Sequence, residues 1–203
     1  MNPQIEQAIE NLKAGDADRI RRALEELTAS AFAFAKKVCG NSDDAEDIAQ
    51  ETMIQLAPTL QNFSDARGLG VWLYKVAKTR CLMSRRSSKF APARTLSLDE
   101  LTPSPDETSA LADTPWRVNP EELVLREELR SHLERAILSL PQHYRLVLVL
   151  RDMEQMDTEE AARVLGISAA TVRMRLHRAR VYLRNELGNY FTTPSRSKRA
   201  PAR

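Results

Sequence analysis

Only three histidines, two cysteines and six glycines occur among the 203 residues, and each scarcity removes a class of chemistry. His132, His143 and His177 are scattered, with no cysteine, serine or acid at a spacing that builds a metal site or a nucleophile–base pair. Cys39 and Cys81 form no metal-ligand pattern and each lies in an apolar helical context, which predicts buried thiols. Two cysteines make no disulfide framework, as suits a reducing cytosol, so the expected location is cytoplasmic. The glycines do not gather into a phosphate-cradling loop. No catalytic residue, metal or cofactor is therefore predicted, and an enzyme is the least supported reading. No apolar run approaches the ~20 residues that cross a bilayer, so no membrane insertion is expected. The start of the chain has no basic segment followed by an apolar one, so no secretory signal is expected. Alternating strand patterns are also scarce. Apolar residues recur instead at helical spacing, and the fold class is all-α.

What the chain has is charge sorted into blocks. The net charge of +2 says little about partners, whereas its distribution says more. Asp43, Asp44, Glu46, Asp47 and Glu51 form an acidic block, and Lys75, Lys78, Arg80, Arg85, Arg86 and Lys89 a basic one. Acids return between Leu96 and Pro115, and bases dominate from Arg163 to Arg184. Blocks of alternating sign predict several surfaces, each with its own partner.

Prolines divide the chain. Pro92, Pro103, Pro105, Pro115 and Pro120 accumulate where apolar periodicity fades, which predicts a linker between two helical lobes. The expected divisions are a first lobe over 1–88, an acidic Pro-rich linker over 89–119, a second lobe over 120–188, and a basic disordered tail over 189–203. In the first lobe the spacing predicts helices over Pro3–Ala14, Ala17–Cys39, Ser42–Thr59 and Gly68–Arg85, the third capped by Asn41, Ser42 or Asp43. Trp72, Leu73 and Val76 are expected in its core. In the second lobe one helix ends near Leu140 and another starts at Pro141. Thr158 is the expected cap of a short helix, TEEAARVL, which Gly166 closes, and Ser168 is the expected cap of a final long helix.

A short helix, a tight glycine turn and a longer basic helix make a helix-turn-helix. Val172, Leu176, Ala179 and Leu183 form the inward stripe of the second helix, and its arginines lie mainly off that stripe. Such a motif places the start of its second helix in the DNA major groove. Thr171, Arg173 and Arg175 fall early enough to reach base edges, and Ser168, at the head of the helix, is expected among the DNA-binding residues. An arginine there can bond guanine O6 and N7, worth ~1–3 kcal/mol of discrimination. Arg178, Arg180 and Arg184 are placed for phosphates, and His177 lies on the same helix.

Two blocks of sequence carry a resemblance. DDAEDIAQETMIQL, then NF, then WLYKVAKTRCL and a basic run, resembles domain two of bacterial sigma factors. SLPQHYRLVLVLRDMEQMDTEEAARVLGISAATVRMRLHRAR resembles their domain four. The two-lobe layout resembles the extracytoplasmic-function (ECF) group. The resemblance implies an alternative sigma factor that binds core RNA polymerase and directs promoter-specific initiation. It implies that Asp44, Glu46, Asp47, Gln50 and Glu51 dock on the β′ clamp helices, that the β flap is a further contact, and that domain four reads the −35 element. It also implies that Phe63, Lys75, Lys78, Thr79, Arg80, Arg85 and Arg86 read and melt the −10 element, capturing flipped bases. As a lone aromatic, Phe63 could equally be a core residue. Thr79 stands where the family often has asparagine, and it loses the paired donor and acceptor of an amide. The resemblance further implies an anti-sigma partner. The acidic linker either threads toward the RNA exit channel or is a plain spacer. The competing reading is a free-standing regulator that uses the helix-turn-helix without polymerase, which would leave the acidic and basic helices of the first lobe without a task.

Overall fold

The computed structural model describes residues 2–14, 16–87 and 121–192. The predicted linker and the basic tail fall outside the described residues, apart from the tail's first four, which continue the last helix. The described residues form helices and turns, with no strand among them. The first bundle holds α1 (Pro3–Ala14), α2 (Ala17–Cys39), α3 (Ser42–Leu56) and α4 (Ala66–Ser87). The second holds α5 (Glu121–Ser139), α6 (Gln142–Leu148), α7 (Thr158–Leu165) and α8 (Ala169–Thr192).

Local chemistry sets the boundaries. Asp16 caps α2 by accepting from the Arg19 amide at 2.9 Å, and Asn41 caps α3 by accepting from the Asp43 amide at 3.0 Å. Asp43 and Asp44 then sit at the positive end of the α3 dipole. The expected α3 is shortened. It stops at Leu56, and a 3₁₀ helix runs over Ala57–Asn62, because Pro58 has no amide to donate. The fourth helix starts earlier than expected, at Ala66, because the Asp65 carboxylate accepts from the Gly68 amide at 2.8 Å. Pro141 stands just outside α6, which gives way to a π-helical turn over Val149–Met153. The cap of α7 is Asp157 and not Thr158. Asp157 accepts from the Glu160 amide at 2.7 Å while Glu160 accepts from the Asp157 amide at 2.8 Å, a capping box that Thr158, one residue late, cannot make.

Helix α2 is the spine of the first bundle, burying Ala23, Leu27, Ala31, Phe34, Ala35 and Val38 at helical spacing. Leu73 is buried as expected, while Trp72 and Val76 are only half-buried. Tyr74, not foreseen as core, is fully buried against Phe34. Cys81 is buried and Cys39 partly exposed. In the second bundle the inward stripe of α8 is as expected, with Val172, Leu176, Ala179 and Leu183 all buried.

The two bundles are packed on each other and share one continuous apolar core. Helix α4 lies against α7, and α2 against α5 and α6. Gly40, which ends α2 with φ +80, marks this seam: a Cβ there would come within 2.8 Å of Leu138 of α5. The buried Arg145 guanidinium donates to the Val38 carbonyl at the end of α2 (2.6 Å) and to the Leu140 carbonyl (2.9 Å), which joins the bundles through helix ends.

Candidate nucleic-acid interface

The helix-turn-helix is built from α7, a turn and α8. Gly166 takes φ +69 and ψ 36, a left-handed conformation that glycine adopts without steric cost, and its amide bonds the Ala162 carbonyl at 2.8 Å. Ser168 caps α8, accepting from the Thr171 amide at 3.1 Å, and its hydroxyl also meets the Thr171 hydroxyl at 2.8 Å. With the inward stripe buried, α8 presents Arg173, His177, Arg180 and Arg184 as exposed residues, and Arg175 and Arg178 as half-buried ones.

These cations are not equivalent. Arg173 is exposed, with no ion-pair partner among the described residues. Arg175 lies near His143, and burial together with that charge pushes the imidazole below its ordinary pKa. Arg178 reaches the Tyr144 hydroxyl at 3.4 Å. Arg180 holds Asp152 through two bonds, at 2.9 and 2.6 Å.

The basic helix of the first bundle is α4. Phe63 and Trp72 stand edge to face at its start, with ring centroids 5.8 Å apart, so Phe63 is half-buried and partnered. Lys75 and Thr79 are exposed, and the Thr79 hydroxyl is spent on the Lys75 carbonyl one turn back, at 2.8 Å. Arg80 pairs with Glu51 of α3 at 3.2 Å. Lys78 turns toward the second bundle and donates to the Val164 carbonyl at 2.8 Å, and burial lowers its pKa. Arg85 and Arg86 continue α4, but their side chains lie outside the described residues.

The acidic helix α3 exposes Glu46, Asp47, Gln50 and Glu51 and half-buries Asp44. Beside it runs an open, mainly apolar groove of about 610 Å³ between α2 and α3, with Leu24, Ala29, Phe32 and Ala49 in its walls and Glu46 and Gln50 at its edge. Among the described residues no group of three or more His, Cys, Asp or Glu could hold a metal ion, and no helix is long and apolar enough to cross a membrane.

A cluster that the sequence did not reveal lies at the seam. Glu154, 1% exposed, accepts from Tyr74 (2.6 Å), Asn2 (2.9 Å) and Lys37 (2.8 Å). In RDMEQMD it reads as one more surface acid, and its partners come from α1's leading residue, α2 and α4, too far along the chain for any spacing rule.

Comparison with known proteins accords with this geometry. The profile of sigma-70 region 2 matches residues 24–90, and that of sigma-70 region 4 matches residues 130–183. The chain is 30% identical over 190 residues to the ECF RNA polymerase sigma factor SigW of Bacillus subtilis (strain 168), covering 92% of this chain and 98% of that one. Among solved structures it shares its fold with CnrH in complex with the cytosolic domain of CnrY (TM-score 0.53, 23% identity, 92% of this chain and 96% of the other). It likewise shares its fold with the sigma factor RpoE in complex with the anti-sigma factor NepR from Bartonella quintana (TM-score 0.55, 20% identity, 83% and 96%). With an acidic α3, a basic α4 and a helix-turn-helix in that order, and full-length similarity to SigW, the chain belongs to the ECF RNA polymerase sigma factors.

Proposed function

We propose that this chain binds core RNA polymerase and directs initiation at a specific set of promoters, through three surfaces. The exposed acids of α3 (Glu46, Asp47, Glu51) and the neutral Gln50, with Asp44 behind them, dock on the polymerase β′ clamp helices, where charge complementarity sets encounter rate and register. The start of α8, with Ser168, Thr171, Arg173 and Arg175, reads the −35 element, while His177, Arg178 and Arg180 flank the DNA backbone. Phe63 and α4 engage the −10 element, Lys75, Lys78, Thr79, Arg80, Arg85 and Arg86 following the opened strand. The unit boundaries are residues 1–88 for polymerase and −10 contacts and 120–188 for −35 contacts. No covalent bond is made or broken by the chain itself, and it acts in the cytoplasm, where the polymerase is. An anti-sigma factor is a further partner, as it is for the RpoE of Bartonella quintana.

The observation that carries this reading is the acid-free outer face of α8. A helix with Arg173, Arg175, Arg178, Arg180 and Arg184 and no acid before Glu186 is shaped to meet a polyanion, and the Gly166 turn presents it as a helix-turn-helix does. The test is transcription of genomic DNA by sigma-free core polymerase from the native host, with and without the chain, reading RNA 5′ ends. New starts behind a shared −35/−10 pair support the proposal. An unchanged pattern, with tight sequence-specific duplex binding by the free chain, would make it a stand-alone regulator.

A further inference from the structure

The outward face of α8 is not uniformly basic. Val172, Leu176, Ala179 and Leu183 fix the direction of the core. At ~100° a residue, the point opposite them falls between Ala170 and Met174. Met174 stands about 10° from that point, whereas Arg173 stands roughly a quarter-turn to one side and Arg175 still further round the other. The side chain that α8 aims most directly away from the protein is therefore an apolar one, and Met174 is 43% exposed.

A single exposed apolar residue is common and needs no function. What sets Met174 apart is its surroundings. The polar side chains nearby are engaged: the Thr171 hydroxyl meets Ser168 at 2.8 Å, Arg178 reaches Tyr144, Arg175 lies beside His143, and Arg180 is held by Asp152. Ala170, one turn earlier, is exposed and extends the apolar surface. Arg173 and His177 flank it, and neither has a hydrogen-bond or ion-pair partner among the described residues. The front of the helix thus pairs one unengaged guanidinium with one apolar chain.

A helix in the major groove presses the residues opposite its buried stripe toward the groove floor. The base edges there carry donors and acceptors, and one apolar group, the C5-methyl of thymine. A thioether is only a weak acceptor. Laid over N7, O6 or an amino group it strips water without replacing the hydrogen bond, which costs free energy. Laid over a thymine methyl it buries apolar surface on both partners, and the flexible methionine chain adapts to the contact. One residue advances α8 by ~1.5 Å, against ~3.4 Å between base pairs, so Met174 meets the same base-pair step as Arg173.

We propose that Met174 is a specificity-determining residue that reads a thymine C5-methyl in the −35 element, within one base-pair step of the guanine that Arg173 contacts. The proposal rests on the functional reading above, which lays α8 in the major groove of that element. It adds a preference that no arginine of the helix can supply.

The experiment uses the full chain, both with core polymerase from the native host and alone. Each form selects duplexes from a random pool, and the guanine that Arg173→Ala ceases to prefer locates the step. Each thymine within one step of it is then replaced by uracil, which removes the methyl and nothing else, and fluorescence anisotropy gives the affinities. In wild type one such uracil is expected to weaken binding about fourfold, the ~0.8 kcal/mol of one buried carbon group. Met174→Ala is expected to weaken binding to the thymine duplex by a similar factor and to be indifferent to that uracil. Met174→Leu keeps an apolar chain and should retain most of the uracil penalty, with circular dichroism unchanged in both variants. A wild type blind to every uracil beside that guanine overturns the proposal, as does a penalty that survives in Met174→Ala. A Met174→Ala chain that binds DNA as wild type does but loses core polymerase also overturns it, in favour of a protein contact. Selection by the free chain that polymerase does not alter discredits the functional reading alone, because the uracil series still decides Met174. A pool that neither form enriches overturns both.

Discussion

Arg180 of α8 grips Asp152, at the end of the π-helical turn, through two hydrogen bonds, so one of the arginines facing outward from the helix-turn-helix is already neutralised. The pair is near the surface, with Arg180 55% exposed, and such pairs contribute at most ~1 kcal/mol to stability. Asp152→Asn should therefore leave the melting temperature within ~4 °C of wild type. It should also free Arg180 for a phosphate. Titration of duplex DNA at several salt concentrations should give a log–log slope steeper by about 0.9, one added phosphate contact. An unchanged slope would mean that Arg180 points away from DNA.

Arg173 is the exposed cation of α8 best placed for a base edge. Arg173→Ala should lower transcription roughly 5- to 150-fold on promoters with an intact −35 element, the range of a lost 1–3 kcal/mol contact. It should change little on templates where that element is scrambled. Equal losses on both templates would assign Arg173 to the backbone.

Asp47 and Gln50 are exposed on one face of α3 and take no part in its cap, which belongs to Asn41. Asp47→Ala with Gln50→Ala should weaken core-polymerase binding at least tenfold in a competition assay while circular dichroism and melting stay as in wild type. Unchanged affinity would reject α3 as the docking helix.

The two candidate caps of α7 make opposite predictions. Asp157→Ala removes the capping box and should cost ~1 kcal/mol, or ~2–4 °C in melting temperature for a chain of this size. Thr158→Ala sits inside the helix and should be near neutral. Thermal unfolding of the two single variants settles the assignment, and a Thr158 variant weaker than the Asp157 one would overturn it.

The helix-turn-helix was legible because its signals are local. Gly166 must supply a left-handed residue, Ser168 an oxygen three residues before an amide, and Val172, Leu176, Ala179 and Leu183 a stripe at helical period. All these relations lie within a turn or two of the chain. Local errors were errors of one rule against another. Thr158 and Asp157 are both good caps, and only the reciprocal bond with Glu160 chooses between them.

The sequence by itself determined the all-α class, the order of helices, the helix-turn-helix and the acidic and basic character of α3 and α4. These follow from periodicity, capping and charge within short windows. Tertiary structure alone decided what each charge meets. Lys78 and Arg80 are both basic residues of α4, yet one is spent on Val164 and the other on Glu51. Arg173 and Arg180 both point outward from α8, yet Arg180 is held by Asp152 while Arg173 is not. Glu154 reads as surface and is the most enclosed carboxylate of the seam, because the three donors that make its burial tolerable arrive from 80 to 152 residues away. A charge in a sequence carries its sign but not its partner. The partner is set by which helix faces are pressed together, and that is decided by the packing of the whole chain.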